Sequence, residues 1–135
     1  MQSADTEKLP FKKIFKYGFK GSNGKWYIND SPSTIGLPDP VFEYNGECFA
    51  SKDADRIEDA KTRKRQTKYV SNILVVKDPA NPENEGKVFL FEYGPKIFDM
   101  ISSKIKPEFE EDEAIDVWSF WDGCNFKLRI KTVKD

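Results

Sequence analysis

A dense group of basic side chains, followed at once by an aromatic one, is the feature of this sequence best suited to chemistry. Five cations fall between positions 61 and 68, and Tyr69 comes next. Cations neutralise the phosphates of a nucleic-acid backbone, and aromatic rings stack on unpaired bases. This basic cluster therefore indicates a surface for single-stranded nucleic acid, although charge runs are also typical of an ordinary solvated face. The basic cluster consists of Lys61, Arg63, Lys64, Arg65 and Lys68.

Two strands of a long antiparallel hairpin over residues 61–94 are predicted to position the basic cluster. Residues 73–76 (ILVV) form an apolar, β-branched run too short for a helix, which predicts a buried strand. Residues 78–86 contain two prolines among other turn formers, which predicts the connection. Residues 87–93 (KVFLFEY) return to strand composition. The first strand thus carries the cations, and the second carries aromatics.

Alternation along the first strand leaves the direction of Tyr69 open. If Tyr69 points outward, Ser71, Ile73 and Val75 share its side, while residues 70, 72, 74 and 76 face the other way. Neither side is purely polar. The strand is therefore expected to be well covered, with Tyr69 near its exposed end.

Turn signals and apolar periodicity divide the rest of the chain into short elements. The predicted elements are a loose leader at 1–10, a strand at 11–19, a turn at 21–24, a strand at 25–28, an irregular segment at 29–46, a helix at 51–63 capped by Asp53, a helix from Pro95 to Pro107, an acidic loop at 108–116 and a final hairpin at 117–131. In the closing strand, Phe126, Leu128 and Ile130 are expected to face inward. Its basic outer row is expected to be Lys127, Arg129 and Lys131.

Length and composition narrow the classes of protein. The chain has 135 residues, enough for a single domain over 1–135, and its net charge is −1, so only a segregated patch can attract nucleic acid. No run is long enough to span a membrane, and Cys48 and Cys124 are expected to be free thiols. The chain contains no histidine and no glycine-rich phosphate loop, which argues against an enzyme and leaves no catalytic residue to nominate.

Several segments together resemble the T-even bacteriophage single-stranded DNA-binding (helix-destabilising) proteins. The resemblance runs from about Tyr17 to Val133, and its longest parts are residues 72–80 (NILVVKDPA) and 82–89 (PENEGKVF). Residues 18–20 (GFK), 23–28 (NGKWYI), 64–65 (KR) and 68–69 (KY) agree as well. The strand pattern and the resemblance both imply a mainly β fold, namely an OB-fold-like, five-stranded, partly open barrel with two short helices.

The resemblance implies sequence-nonspecific binding of single-stranded DNA in phage replication, recombination and repair, in the cytoplasm of the infected host. Lys64 and Arg65, helped by Lys68, would neutralise phosphates, and Tyr69 would stack a base. Phe91 matches an aromatic that the family places on the second hairpin strand. The remaining candidates are Arg63, which is only close by, Tyr93, which shares the face of Phe91, and the weaker Lys127, Arg129 and Lys131.

The sequence also departs from the family. The family binds zinc through one histidine and three cysteines, and the matching positions here are Tyr17, Ser31, Val41 and Tyr44. We therefore expect no zinc. A clustered basic arm and an acidic tail are also missing, so we expect a monomer that binds with little or no cooperativity; a minimal relative and a shortened chain both remain open.

A role in another class is a barrel that docks a phage replication protein without touching DNA. Its binding surface would be the acidic loop at 108–116 together with exposed aromatic residues. Paired carboxylates in such a loop can also bind a metal, but a solvated linker is the commoner use. Salt dependence of oligonucleotide binding separates the two functions, because phosphate contacts release counterions.

Overall fold

Four strands and three helices make up a computed structural model that describes residues 9–119 and 121–133. The strands are β1 (Lys12–Lys20), β2 (Trp26–Asp30), β3 (Gln66–Leu74) and β4 (Val88–Tyr93). The helices are α1 (Pro40–Ala50), α2 (Ala54–Thr62) and α3 (Pro95–Ile105), and short 3-10 turns lie at Pro32–Ile35 and Pro82–Asn84. The leader predicted at 1–10 lies outside the described residues except for Leu9 and Pro10.

The strands form one antiparallel sheet in the order β2-β1-β3-β4, curled into a half-barrel. Two of the three predicted hairpins are confirmed, because β1 pairs with β2 and β3 pairs with β4. The first hairpin turns at residues 21–24, where Gly24 has a φ of 76°, a conformation that glycine adopts without a steric penalty. The architecture is mainly β, as expected.

Two helices lie where the sequence predicts them. Asp53 caps α2 by accepting hydrogen bonds from the amides of Asp55 and Arg56. Pro95 occupies the first turn of α3, where its missing N–H is not needed. The helix α1, however, begins inside the segment at 29–46 that was expected to be irregular, and for residues 40–46 that expectation was wrong. Asp39 caps this helix and Pro40 starts it, so prolines that signal irregular chain elsewhere mark a helix start here.

The predicted final hairpin is not a strand pair in the structure. Residues 121–133 are irregular chain, and no fifth strand occurs within the two described ranges; Phe120 lies outside them. Phe126 and Leu128, expected to face inward, are each 50 % exposed, and Ile130 is more exposed still. Alternating side chains define two faces, but a strand also needs a partner backbone to accept and donate its hydrogen bonds.

Only one face of the sheet is covered by the helices. The covered face carries the buried side chains of Tyr17, Ser71 and Tyr93. The run at 73–76 was expected to be buried, but Leu74 is 56 % and Val76 is 61 % exposed. These two side chains lie on the uncovered face, which apolar composition alone does not reveal.

A buried carboxylate joins β1, the chain after β2 and the start of α1. The Tyr17 hydroxyl donates to Asp39 Oδ2 at 2.7 Å, and Ser31 Oγ donates to the same oxygen. The amide of Phe42 donates to Asp39 Oδ1 at 3.0 Å. Burial raises the pKa of Asp39, but these hydrogen bonds outweigh it and hold that pKa below its usual 3.8. Burial, with the hydrogen bond to Asp39, raises the pKa of Tyr17 to about 12.

Replacing Asp39 with alanine is expected to destabilise the fold by about 3 kcal/mol, because the helix cap is lost and two hydroxyls are left without their acceptor. The matched control is Asp53→Ala, an exposed cap whose loss costs about 1 kcal/mol. Urea unfolding of both variants measures the difference. The loss from Asp39→Ala should begin to shrink below about pH 4, where the unfolded chain's Asp39 takes up a proton, and should keep shrinking as the pH falls through the lower pKa of Asp39 in the folded protein. Equal losses at neutral pH would show that the buried hydrogen bonds add nothing.

Candidate nucleic-acid interface

One buried asparagine fixes the start of β3 against α1. Asn45 Nδ2 donates to the backbone carbonyl of Arg63 at 2.8 Å, and Arg63 Nε donates to Asn45 Oδ1 at 3.2 Å. Asn45 is 5 % exposed, so both hydrogen bonds are shielded from water. The short connection between α2 and β3, which carries Lys64 and Arg65, is therefore held beside α1.

Arg63 is engaged within the protein. Its guanidinium forms a salt bridge with Asp59 on α2 and lies 5.3 Å from the ring centre of Tyr44. With the two hydrogen bonds to Asn45, these contacts give Arg63 a structural role in joining α1 to the end of α2. A contact between Arg63 and DNA stays a prediction.

Arg65 lies between two aromatic rings. Its guanidinium carbon is 4.0 Å from the ring centre of Phe15 and 4.3 Å from that of Phe42, and Nη1 donates to Ser33 Oγ at 3.0 Å. Contacts of a guanidinium with ring faces are stabilising, and they hold the cation in place without neutralising its charge. Lys64 is exposed beside it, and no salt bridge among the described residues engages Lys64. The two cations are thus adjacent, one held between aromatic rings and one exposed.

Lys68 is separated from this pair by the pleat of β3. Successive side chains of a strand point to opposite faces, so Lys68 lies on the face opposite Tyr69. It is half-buried, opposite Ile14 in the sheet, and its ammonium group is close to Gly94. The structure therefore does not place Lys68 on the face shared by Arg65 and Tyr69.

The aromatic candidates belong to a cluster that holds α3 against the sheet. The ring of Tyr69 is stacked on Phe98 at 4.0 Å and 4°, and Tyr93 lies 5.9 Å away at 22°. Phe91 stacks on Tyr93 at 5.6 Å. The Tyr93 hydroxyl and Ser71 Oγ share a hydrogen bond of 2.8 Å, and burial raises the pKa of Tyr93. These rings are together, as predicted, but they are largely occupied with one another; base stacking by them stays a prediction.

The three late cations are in the irregular segment after the last helix. They are exposed, and no hydrogen bond or salt bridge within residues 9–119 and 121–133 joins them to the basic cluster. Their role in binding stays a prediction. They are Lys127, Arg129 and Lys131.

Two aromatic residues beside the cations were missed by the sequence analysis. Phe42 and Phe49 are 52 % and 44 % exposed on α1, and both line a groove that Lys64 and Arg65 also line. The groove has a volume of about 310 Å³. Their seven-residue spacing places two aromatics on one helix face, a signal that was lost because this segment was not recognised as a helix.

The positions that match the family's zinc ligands carry the wrong donors. Tyr17 and Ser31 donate hydrogen bonds to Asp39, Val41 has no donor atom, and the ring of Tyr44 lies against Arg63. A structural zinc site needs four thiolate, imidazole or carboxylate ligands in a tetrahedron. Among the described residues, no group of three or more histidine, cysteine, aspartate or glutamate side chains is placed to hold a metal. This donor set does not fit zinc.

Comparison with known proteins gives a match over the full sequence. A family model described as "gp32 DNA binding protein like" matches residues 1–135. The single-stranded DNA-binding proteins of Enterobacteria phage T2 and Enterobacteria phage T4 are each 43 % identical to it over 138 aligned positions. The alignments cover 98 % of this chain and 44 % of each relative, so the chain spans less than half the length of these relatives.

Replacing Tyr69 with alanine is expected to lower the free energy of unfolding by about 3 kcal/mol, because the ring that packs between Phe98 and Tyr93 is lost. Phe49→Ala is the control, because loss of an exposed ring on α1 should lower the free energy of unfolding by about 1 kcal/mol or less. Denaturant unfolding of both variants provides the measurement. A Tyr69→Ala variant as stable as the control would mean that this ring does not hold α3 to the sheet.

Proposed function

Because this chain belongs to the family of gp32-like DNA-binding proteins, we propose that it binds single-stranded DNA with little sequence preference. One observation assigns the proposed binding to particular residues: Lys64 and Arg65 are adjacent and lie beside exposed aromatic rings. The net charge of the chain is −1, so DNA is attracted by this local patch rather than by the molecule as a whole.

Within this proposal, Lys64 and Arg65 are the main phosphate contacts. Arg65 is already oriented by Phe15 and Phe42, so little side-chain entropy is lost when it meets a phosphate. Lys64 is free to follow the backbone. The other predicted residues, on β3, β4 and the last segment, would extend the path; they are Arg63, Lys68, Tyr69, Phe91, Tyr93, Lys127, Arg129 and Lys131.

The biological setting follows from the named relatives, which are phage single-stranded DNA-binding proteins. We propose that this chain acts on DNA in the infected bacterial host during replication, recombination and repair, as a monomer with weak or no cooperativity, and possesses surfaces for phage replication proteins. Its family supports binding rather than catalysis. No helix among the described residues is long and apolar enough to cross a membrane.

We also propose that the complete fold is an OB-like barrel with a fifth strand at 126–131. The curled antiparallel sheet and the strict alternation of apolar and basic residues in that segment support it. In the structure the segment is exposed irregular chain, so the fifth strand needs a partner that the described sheet does not supply.

The fold is expected to form without zinc, because the hydrogen bonds around Asp39 occupy the place of the metal ligands. Elemental analysis of the purified protein should give far less than one zinc per chain, and the melting temperature should be the same with and without EDTA. About one equivalent of tightly bound zinc, with a melting temperature that drops in EDTA, would overturn this proposal.

Binding of oligo-dT is expected to be tighter than binding of duplex DNA and to weaken steeply with salt. Lys64→Ala should reduce the slope of log affinity against log salt by about 0.7, the value of one contact to single-stranded DNA. Lys61→Ala is the control: Lys61 lies on α2 and forms a salt bridge with Glu58 at 3.1 Å. Fluorescence anisotropy measures both. Equal affinity for duplex and single strand, or an unchanged slope in Lys64→Ala, contradicts the proposal.

A further inference from the structure

One face of α1 carries two half-exposed aromatic rings on either side of a buried asparagine and a glycine. Phe42, Asn45, Gly46 and Phe49 recur at i, i+3, i+4 and i+7, so they lie on a single helix face. Asn45 is the buried floor that fixes Arg63, while both phenylalanines are about half exposed. Large apolar rings at the surface beside cations differ from the usual charged outer face of a helix.

The space between the two rings is open because the residue there is glycine. A Cβ atom added to Gly46 would meet no atom within 4 Å. Glycine in the middle of a helix is less stable than alanine, and here no neighbouring atom requires it. The missing side chain leaves a gap between Phe42 and Phe49 that packing does not explain.

The rim of this gap is cationic. Lys64 and Arg65 line the groove together with Thr67, whereas the two acidic residues of α1, Glu43 and Glu47, do not line it. A groove with aromatic walls and a positively charged rim fits a ligand that combines flat rings with phosphates. Single-stranded nucleic acid is such a ligand.

We propose that bases of single-stranded DNA stack on Phe42 and Phe49 while Lys64 and Arg65 contact the flanking phosphates. We call this surface the α1 groove, lined by Phe42, Asn45, Gly46, Phe49, Lys64, Arg65 and Thr67. The inference rests on the proposed function and deepens it, because it assigns the stacking residues. The two rings are two helical turns apart, about 10 Å along the axis, so each takes a different base.

The α1 groove explains stacking without moving the aromatic cluster under α3. Tyr69 is already stacked on Phe98, so a base reaches its face only if α3 shifts. Phe49 is exposed as the protein stands, and its use requires no rearrangement. Phe42 offers a base only the ring face that Arg65 leaves open. Duplex DNA hides its base faces within its own stack, so the α1 groove also gives a preference for single strands.

The first test adds a side chain in the gap at Gly46 instead of removing one of the two aromatic rings. Gly46→Leu places a side chain in the open space, and a leucine is a better helix former than glycine, so stability should be equal or higher. Its affinity for oligo-dT should fall about tenfold, the range of one lost stacking contact, with the salt slope unchanged. Gly46→Ala, which adds only a methyl group, should show a smaller loss.

Phe49→Ala should weaken binding by a similar factor of about ten, again without changing the salt slope. The control is Trp26→Ala, which removes an exposed aromatic ring on β2 that does not line the groove and should bind as the wild type does. Denaturant unfolding of each variant verifies that the protein is folded. Anisotropy titrations with labelled oligo-dT give the affinities.

The outcomes separate this inference from the proposed function. If the wild type fails to bind oligo-dT, the proposed function itself fails. If the wild type binds and Gly46→Leu and Phe49→Ala bind equally well, the α1 groove is overturned while the function stands. Photocrosslinking to an iodouracil oligonucleotide gives a second measurement: crosslinks at residues 42–49 support the inference, and crosslinks confined to Phe91 or to 126–131 overturn it.

Discussion

A single buried carboxylate, Asp39, organises the part of the molecule that carries the proposed DNA-binding residues. Asp39 accepts hydrogen bonds from β1, from the chain after β2 and from the first turn of α1. A buried charge is tolerated only when its hydrogen bonds are made, so none of these three segments can shift and remove its donor without a large cost while Asp39 stays buried. The position of α1 on the sheet follows from this constraint.

Once α1 is placed, the cations are placed too. Asn45 binds both the backbone and the side chain of Arg63, and Phe42 lies against Arg65. The protein therefore presents a fixed guanidinium and a free ammonium next to exposed rings, on a chain whose net charge is −1. In the proposed interface, two positioned cations, rather than the net charge of the chain, attract the DNA.

Sequence patterns predicted the elements whose signals are local. Both hairpins, the Asp53-capped helix and the helix beginning at Pro95 follow from turn residues and periodicity. The helix α1 is hidden in the sequence because prolines are common in irregular chain; only Asp39 directly before Pro40 marks the helix start. The direction of the Tyr69 side chain depends on which face of the sheet the helices cover. Whether residues 126–131 form a strand depends on a partner backbone. Both are properties of the tertiary structure, and alternation in the sequence does not predict them.

The basic cluster was predicted as a unit, yet the structure assigns its members different surroundings. Arg63 forms a salt bridge with Asp59, Arg65 lies between two aromatic rings, and Lys68 lies on the opposite face of the sheet.

We propose that α1 and the connection between α2 and β3 form one DNA-binding surface. The direct measurement is backbone NMR of the protein titrated with oligo-dT. We predict that the largest shift changes fall on amides 42–49 and 64–67; changes confined to β4 and residues 121–133, with α1 unaffected, would contradict the account.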